Sequence, residues 1–202
     1  MQTTTPLITS GLAVTLGGGL LLVSAYLAAR PAMAASRSGW AVVNGLSYAI
    51  LGMAAAIRME GSEGFRAALL QLVTVVVAGA LVVLSHRPGE RDAGEGLGAI
   101  GRGLAWLALV GLPPTVGFHA KVTLYRALLT AGWGWMAGVA AAVSLVLLLP
   151  ALSEIRSPRT EPLSGPRAVS VASLIALTVI LGFYPYLWLF VNAVTGRLAG
   201  SV

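Results

Sequence analysis

Six runs of this chain carry no charged side chain, and nothing else constrains its fold so strongly. They are Pro6–Ala29, Gly39–Ile57, Ala67–Ser85, Gly103–Phe118, Ala127–Ser153 and Ala168–Gly196. A bilayer core is about 30 Å thick and a helix rises about 1.5 Å per residue, so a crossing needs roughly 20 apolar residues. Each run meets that length or nearly does; the fourth is the shortest. Only 10% of the 202 residues are charged and 57% are hydrophobic, against roughly 25% charged in a soluble domain. Mean hydropathy is +0.86. The solvent for most of this chain is lipid. The expected fold is an all-α integral membrane protein, a single transmembrane domain over 1–202 with six to seven crossings.

Strands are not expected. Lipid-spanning sheets close into barrels with alternating residues, whereas these runs are continuously apolar. Gly17, Gly18, Gly19, Gly132 and Gly138 are expected to let helices pack closely. The first run has no positive residue before it and exceeds the length of a signal-peptide core, so it reads as a span. The loops are short: Arg30–Ser38, Arg58–Arg66 with Glu60 and Glu63, His86–Arg102 with Pro88, Gly89, Gly94 and Gly96, and Ser157–Arg167 with Pro158, Pro162 and Pro166. None can house a catalytic module.

The net charge of +6 fits arginines beside anionic headgroups rather than nucleic-acid binding. Arg30, Arg37, Arg87, Arg91, Arg156, Arg159 and Arg167 all fall near helix ends. With six crossings, loops 30–38, 86–102 and 154–167 share a face and carry eight Lys and Arg residues. The positive-inside rule makes that face cytoplasmic. With seven crossings the bias nearly vanishes. There is no cysteine, so disulfides and thiolate metal sites are excluded. No metal site, P-loop, GxSxG or HExxH is present.

The region from Leu109 to Lys121 is the most informative. Pro113 and Pro114 lack N–H donors, so a helix passing through would leave the carbonyls of Leu109 and Val110 without their usual partners. Gly111 and Gly117 flank the break and permit bending. Freed backbone groups at membrane depth are tolerated only where protein or water satisfies them. An ordinary surface turn is the plain alternative. Lys121 favours function: a lysine at mid-membrane costs about 2.5–3.5 kcal/mol on insertion scales, and a lysine taken out of water can become an exchangeable proton site. Snorkelling to a headgroup is more natural for Arg126. Gly117, Lys121 and Tyr125 share one helical face. His119 lies about 160° from Lys121 on a regular helix, so it joins the same path only through irregular backbone or water. His86 is the other histidine.

Other polar residues within the runs are weaker signals. Asn44, Ser47, Tyr48, Gln71 and Thr74 could bond between helices. Trp133, Trp135, Tyr184, Tyr186 and Trp188 resemble an interface belt. Glu154 is expected at the headgroups.

The segment GLPPTVGFHAK, Gly111–Lys121, resembles the AGIPPTAGFFGK signature of the antiporter-like subunit N of NADH-quinone oxidoreductase (respiratory complex I). That family is shared with Mrp-type antiporters and membrane-bound hydrogenases. Gly39–Tyr48 resembles its GYSSISHLGY segment. The resemblance implies the C-terminal half of such a subunit, one inverted-repeat half with a discontinuous helix near Pro113–Pro114 and Lys121 in the proton path. It favours seven crossings, Gly103–Leu112 ending one helix and Thr115–Thr130 forming the broken one. It implies proton translocation coupled to electron transfer, other membrane subunits as partners, NADH or another donor and quinone handled by those partners, no cofactor on this chain, and the cell inner membrane. The departures are clear. The family's first half is absent, Ala35 stands where the family has a lysine, with Arg37 nearby, and His119 replaces an aromatic. A partner supplying the missing half, a non-pumping structural or assembly subunit, and an Mrp-type cation/proton antiporter subunit are the alternatives. Lys121, His119 and Tyr125 are the candidate proton-translocation residues.

Overall fold

In the computed structural model the described residues are 5–59, 62–85, 97–156 and 165–199, with the chain after Phe183 described as backbone. His86, Arg87, Arg91, Arg159 and Glu60 lie outside them, as do the side chains of Glu154, Tyr184, Tyr186 and Trp188 and the prolines and glycines expected in loops 86–96 and 157–164. All regular structure among the described residues is helical: α1 Thr5–Ala29, α2 Arg37–Met59, α3 Ser62–Ser85, α4 Leu97–Val110, α5 Val116–Thr130, α6 Gly134–Arg156 and α7 Gly165–Ala199, with a 3-10 segment Pro31–Ser36 between α1 and α2.

The interior mixes alanines, leucines and Trp106 with a few polar side chains such as Asn44, Gln71 and Lys121, and the exterior is apolar as well. In α2 the buried stripe runs Ala41, Asn44, Gly45, Tyr48, Leu51, Gly52 and Ala55. Leu46, Met53 and Ile57 on its other side are exposed, as are Leu16, Val76, Val83 and Leu149 on other helices. A water-soluble bundle covers its outside with charged and polar side chains; this exterior suits hydrocarbon.

Close packing falls largely on glycines other than those expected. A Cβ on Gly52 would come within 2.8 Å of the Ala68 amide nitrogen, and one on Gly64 would overlap the Ala56 amide. α2 and α3 thus meet backbone to backbone, as small residues allow. Among the expected five, Gly17 packs on Ile50 and Leu51 and Gly18 on Met136, while Gly19, Gly132 and Gly138 have nothing within 4 Å. Gly132 is used instead for its φ of 80°. It ends α5 with Gly132 N–H on the Leu129 carbonyl and Trp133 N–H on that of Leu128, the left-handed helix stop that glycine favours. The charge-free run Ala127–Ser153 therefore contains a turn.

The fourth helix starts earlier than its charge-free run. α4 begins at Leu97 and includes Arg102, within what the sequence suggested was loop. Gly101 is buried there, where an added Cβ would lie 2.6 Å from Ser85 Oγ. An arginine near the end of a membrane helix can extend its head toward water, so one charge does not end the helix.

Among the described residues, five helices are long and apolar enough to cross a membrane. α4 and α5 have 14 and 15 residues, about 21 and 22 Å, each too short to cross alone. Both pack on α3. Two contacts fix the parity. Arg37, at the start of α2, donates Nη1 to Ser153 Oγ near the end of α6 at 3.1 Å. Arg167, at the start of α7, donates Nε to the Leu84 carbonyl near the end of α3 at 2.7 Å. These four ends share one face. Had α4 and α5 each crossed separately, α6 would end on the other face. The seven helices therefore make six passages, α4 and α5 forming one discontinuous passage broken at 111–115. The arginines at 30, 37, 102 and 167 consequently lie on one side. Trp135, 62% exposed, and Trp133 mark the opposite side at the α5–α6 turn.

Candidate functional site

The break is built by the residues that prevent a helix from continuing. Gly111 has φ 83°. Its N–H bonds the Leu107 and Ala108 carbonyls at 2.9 and 3.1 Å, and Leu112 N–H bonds Leu107 at 2.9 Å. This closes α4 with a left-handed glycine cap. Thr115 Oγ1 then donates to the Leu112 carbonyl at 2.7 Å, and α5 begins at Val116. The new helix starts tightly against the old one: a Cβ on Gly117 would overlap the Ala108 carbonyl.

Lys121 lies one turn into α5 and is 3% exposed. Its Nζ donates to the Val110 carbonyl at 2.7 Å and to Ser144 Oγ at 2.7 Å. Val110 is the residue four before Pro114, so the carbonyl that the proline deprives of a helical donor is the one the lysine takes. The ammonium also sits 4.2 Å from the centroid of the Tyr48 ring, a cation–π distance. Gly111 serves twice, since a Cβ there would come within 2.6 Å of Lys121 Cδ.

Ser144 is the hub. Its hydroxyl meets Lys121, Tyr48 Oη at 2.8 Å and Tyr125 Oη at 3.2 Å, and donates to the Ala140 carbonyl at 3.1 Å. Tyr48 Oη also donates to that carbonyl at 2.8 Å. Tyr48 and Ser144 fall near the middle of α2 and α6, each 23 residues long, so the cluster lies near mid-membrane. Among the described residues no carboxylate joins it. A cavity of about 180 Å³ adjoins it, lined by Leu112, Lys121, Val122, Tyr125, Ser144 and Leu145 among others. Val122 and Leu145 are 40% and 69% exposed, which places its mouth on the outer surface of the bundle.

The structure thus gathers Lys121 and Tyr125, as their shared face predicts, and adds Tyr48 and Ser144. Tyr48 is expected only as an interhelical bonder. Ser144 is unremarked in the sequence because a serine in an apolar run gives no periodic signal. His119 stands elsewhere. Its Nε2 is 2.7 Å from the Gly182 carbonyl of α7, and its ring meets Phe118 edge-on. There α7 is pressed against the break, for a Cβ on Gly182 would overlap the Pro114 carbonyl. Asn44 does bond between helices, to the Leu21 carbonyl and Ser24 Oγ of α1. Ser47 and Thr74 bond back to their own helices. Gln71 has no hydrogen-bond partner among the described residues.

Comparison with known proteins converges on one family. The chain is 30% identical over 145 residues to NADH-quinone oxidoreductase subunit N of Neisseria gonorrhoeae, covering 61% of this chain and 30% of the relative. It is 33% identical over 150 residues to subunit N 2 of Streptomyces griseus, covering 68% and 28%. The chain belongs to the antiporter-like subunit N family. No family model matches it. The matched segments span about a third or less of these subunit N relatives. The fold is shared with a chain in the structure of the Mrp complex from Dietzia sp. DQ12-45-1b. That match has a TM-score of 0.73 at 21% identity, over 89% of this chain and 45% of the other. The subunit N resemblance at Gly111–Lys121 falls on the helix break and on the lysine that occupies the carbonyl freed by it.

Proposed function

We propose that this chain is a membrane subunit of an NADH-quinone oxidoreductase-type complex and contributes to proton translocation coupled to electron transfer, with Lys121 as its exchangeable site. The observation that carries this is the surroundings of Lys121. As an ammonium it donates to Val110 and Ser144 and faces the Tyr48 ring. As a neutral amine it can accept a hydrogen bond from the Ser144 hydroxyl, which rotates to suit either form. Both protonation states are therefore accommodated without a carboxylate. Tyr125, on the same hydroxyl, can pass that reorientation along. The adjoining cavity gives Lys121, Tyr125 and Ser144 open space in which to rearrange.

Redox chemistry belongs, on this reading, to partner subunits that handle quinone and NADH or another donor. The chain acts as one transmembrane unit in the cell inner membrane, with the arginine-rich face toward the cytoplasm. Its partners, on this reading, are other membrane subunits of the same complex. A second reading is a structural subunit that retains the lysine without pumping. The likeness to an Mrp complex chain makes a cation/proton antiporter assembly the corresponding alternative host. Lys121→Met in the intact complex separates the first two. The proposal expects assembly to persist and proton translocation to stop while electron transfer continues uncoupled or slowed. Unchanged proton-to-electron stoichiometry would establish the structural role instead.

A further inference from the structure

Lys121 has the cavity on its outer side; the inner side, toward α2 and α3, holds a polar group with no assigned role. Gln71 of α3 is fully buried, and neither its Nε2 nor its Oε1 has a hydrogen-bond partner among the described residues. An amide buried in that state is costly unless something satisfies it. Two chains of contact lead from it toward Lys121. On α2, the Cβ position of Gly45 would be 3.6 Å from Gln71 Nε2 and 3.5 Å from Leu109 Cδ2. Three residues on from Gly45, about 4.5 Å along the axis, Tyr48 puts its ring against the ammonium. Leu109 directly precedes Val110, whose carbonyl Lys121 holds. On α3, Thr74 shares the buried face with Gln71, and its Cγ2 would be 3.1 Å from a Cβ on Gly117, one turn before Lys121 in α5. Gln71 therefore faces the junction of α2, α3 and the broken passage that carries the lysine.

We propose that Gln71 holds an internal water that extends the proton site of Lys121 inward to α3, giving the lysine a second route opposite the cavity. The inference rests on Lys121 being exchangeable. A group that takes a proton on one side and releases it on another needs a hydrogen-bonded approach from each. An amide suits the inner approach because it both donates and accepts and holds a water in either orientation without adding a charge in hydrocarbon.

The test compares Gln71→Leu with Lys121→Met in the assembled complex, reading proton translocation, assembled yield and thermal unfolding together. Replacing the amide by an apolar side chain of similar size is expected to leave assembly intact and the melting temperature near that of the parent. Proton translocation is expected to fall by roughly tenfold or more, as for loss of a group in a proton-transfer path. Full translocation in Gln71→Leu beside loss in Lys121→Met overturns the Gln71 role and leaves the lysine reading standing. Full translocation in both overturns the two together. Should Gln71→Leu fail to assemble, a high-resolution map of the parent complex decides. Water density between the amide and Lys121 supports the proposal, and an amide bonded only to a partner chain or to lipid overturns it.

Discussion

The two faces of α5 differ in what their polar groups bind. On one face Lys121 and Tyr125 meet a hydroxyl, an aromatic ring, a single carbonyl and a cavity. Each contact there can be rearranged by rotation or protonation. On the other, His119 meets the Gly182 carbonyl where α7 touches the Pro114 backbone with no room for a side chain. That contact fixes a helix in place. A hydroxyl-centred cluster beside a cavity is suited to changing state; a ring nitrogen on a main-chain carbonyl, between two closely apposed backbones, is suited to holding the break still. Substitutions on the first face should therefore change transport more than stability, and those on the second the reverse.

Gly111→Ala joins the two properties and should be the most damaging. It puts a Cβ at φ 83° and within 2.6 Å of the Lys121 stem. The expected cost is roughly 2 kcal/mol or more from left-handed strain and overpacking, with translocation lost as well. It is read from thermal unfolding and pumping in reconstituted vesicles. Gly182→Ala should lower stability by about 1–3 kcal/mol, through its overlap with the Pro114 carbonyl. The fraction that assembles should pump normally, measured as translocation per assembled complex. Lost pumping in well-assembled material would make α7 part of the path and erase the contrast.

Ser144→Ala tests the hub. It leaves Lys121 with the Val110 carbonyl as its remaining protein hydrogen bond, and should cost about 1 kcal/mol in stability but roughly tenfold in translocation. Equal stability and pumping in this variant would mean that the lysine does not use the hydroxyl. His119→Phe should have the smallest effect. It removes the hydrogen bond to the Gly182 carbonyl, about 1 kcal/mol, and leaves translocation within roughly twofold of the parent. A collapse as deep as that of Lys121→Met would return His119 to the proton path and dissolve the distinction between the faces.

Much of the fold was legible in the chain. Absence of charge marks the spans, since hydrocarbon penalises it. The paired prolines with Gly111 mark the break, because missing donors and a positive φ are local properties. The shared face of Lys121 and Tyr125 follows from helical repeat alone. Where local rules mislead, a neighbour is responsible. Arg102 stays helical because α4 packs through Gly101 on Ser85. Gly52 and Gly64, rather than Gly19 or Gly138, are the close contacts because of which helix lies opposite each.

By itself, then, the sequence determined that the chain lives in lipid, that one helix is broken and that a lysine follows the break. Each is set by transfer free energy or by covalent geometry acting over a few residues. Only the tertiary structure decided that the passages number six, that Ser144 joins Lys121 to two tyrosines, and that His119 lies against the Gly182 carbonyl of α7. Those depend on which helices pack together, through contacts such as Arg37 with Ser153, 116 positions apart. The pivotal match of Lys121 to the Val110 carbonyl belongs to both. Proline frees the acceptor locally, and the fold brings the donor to it.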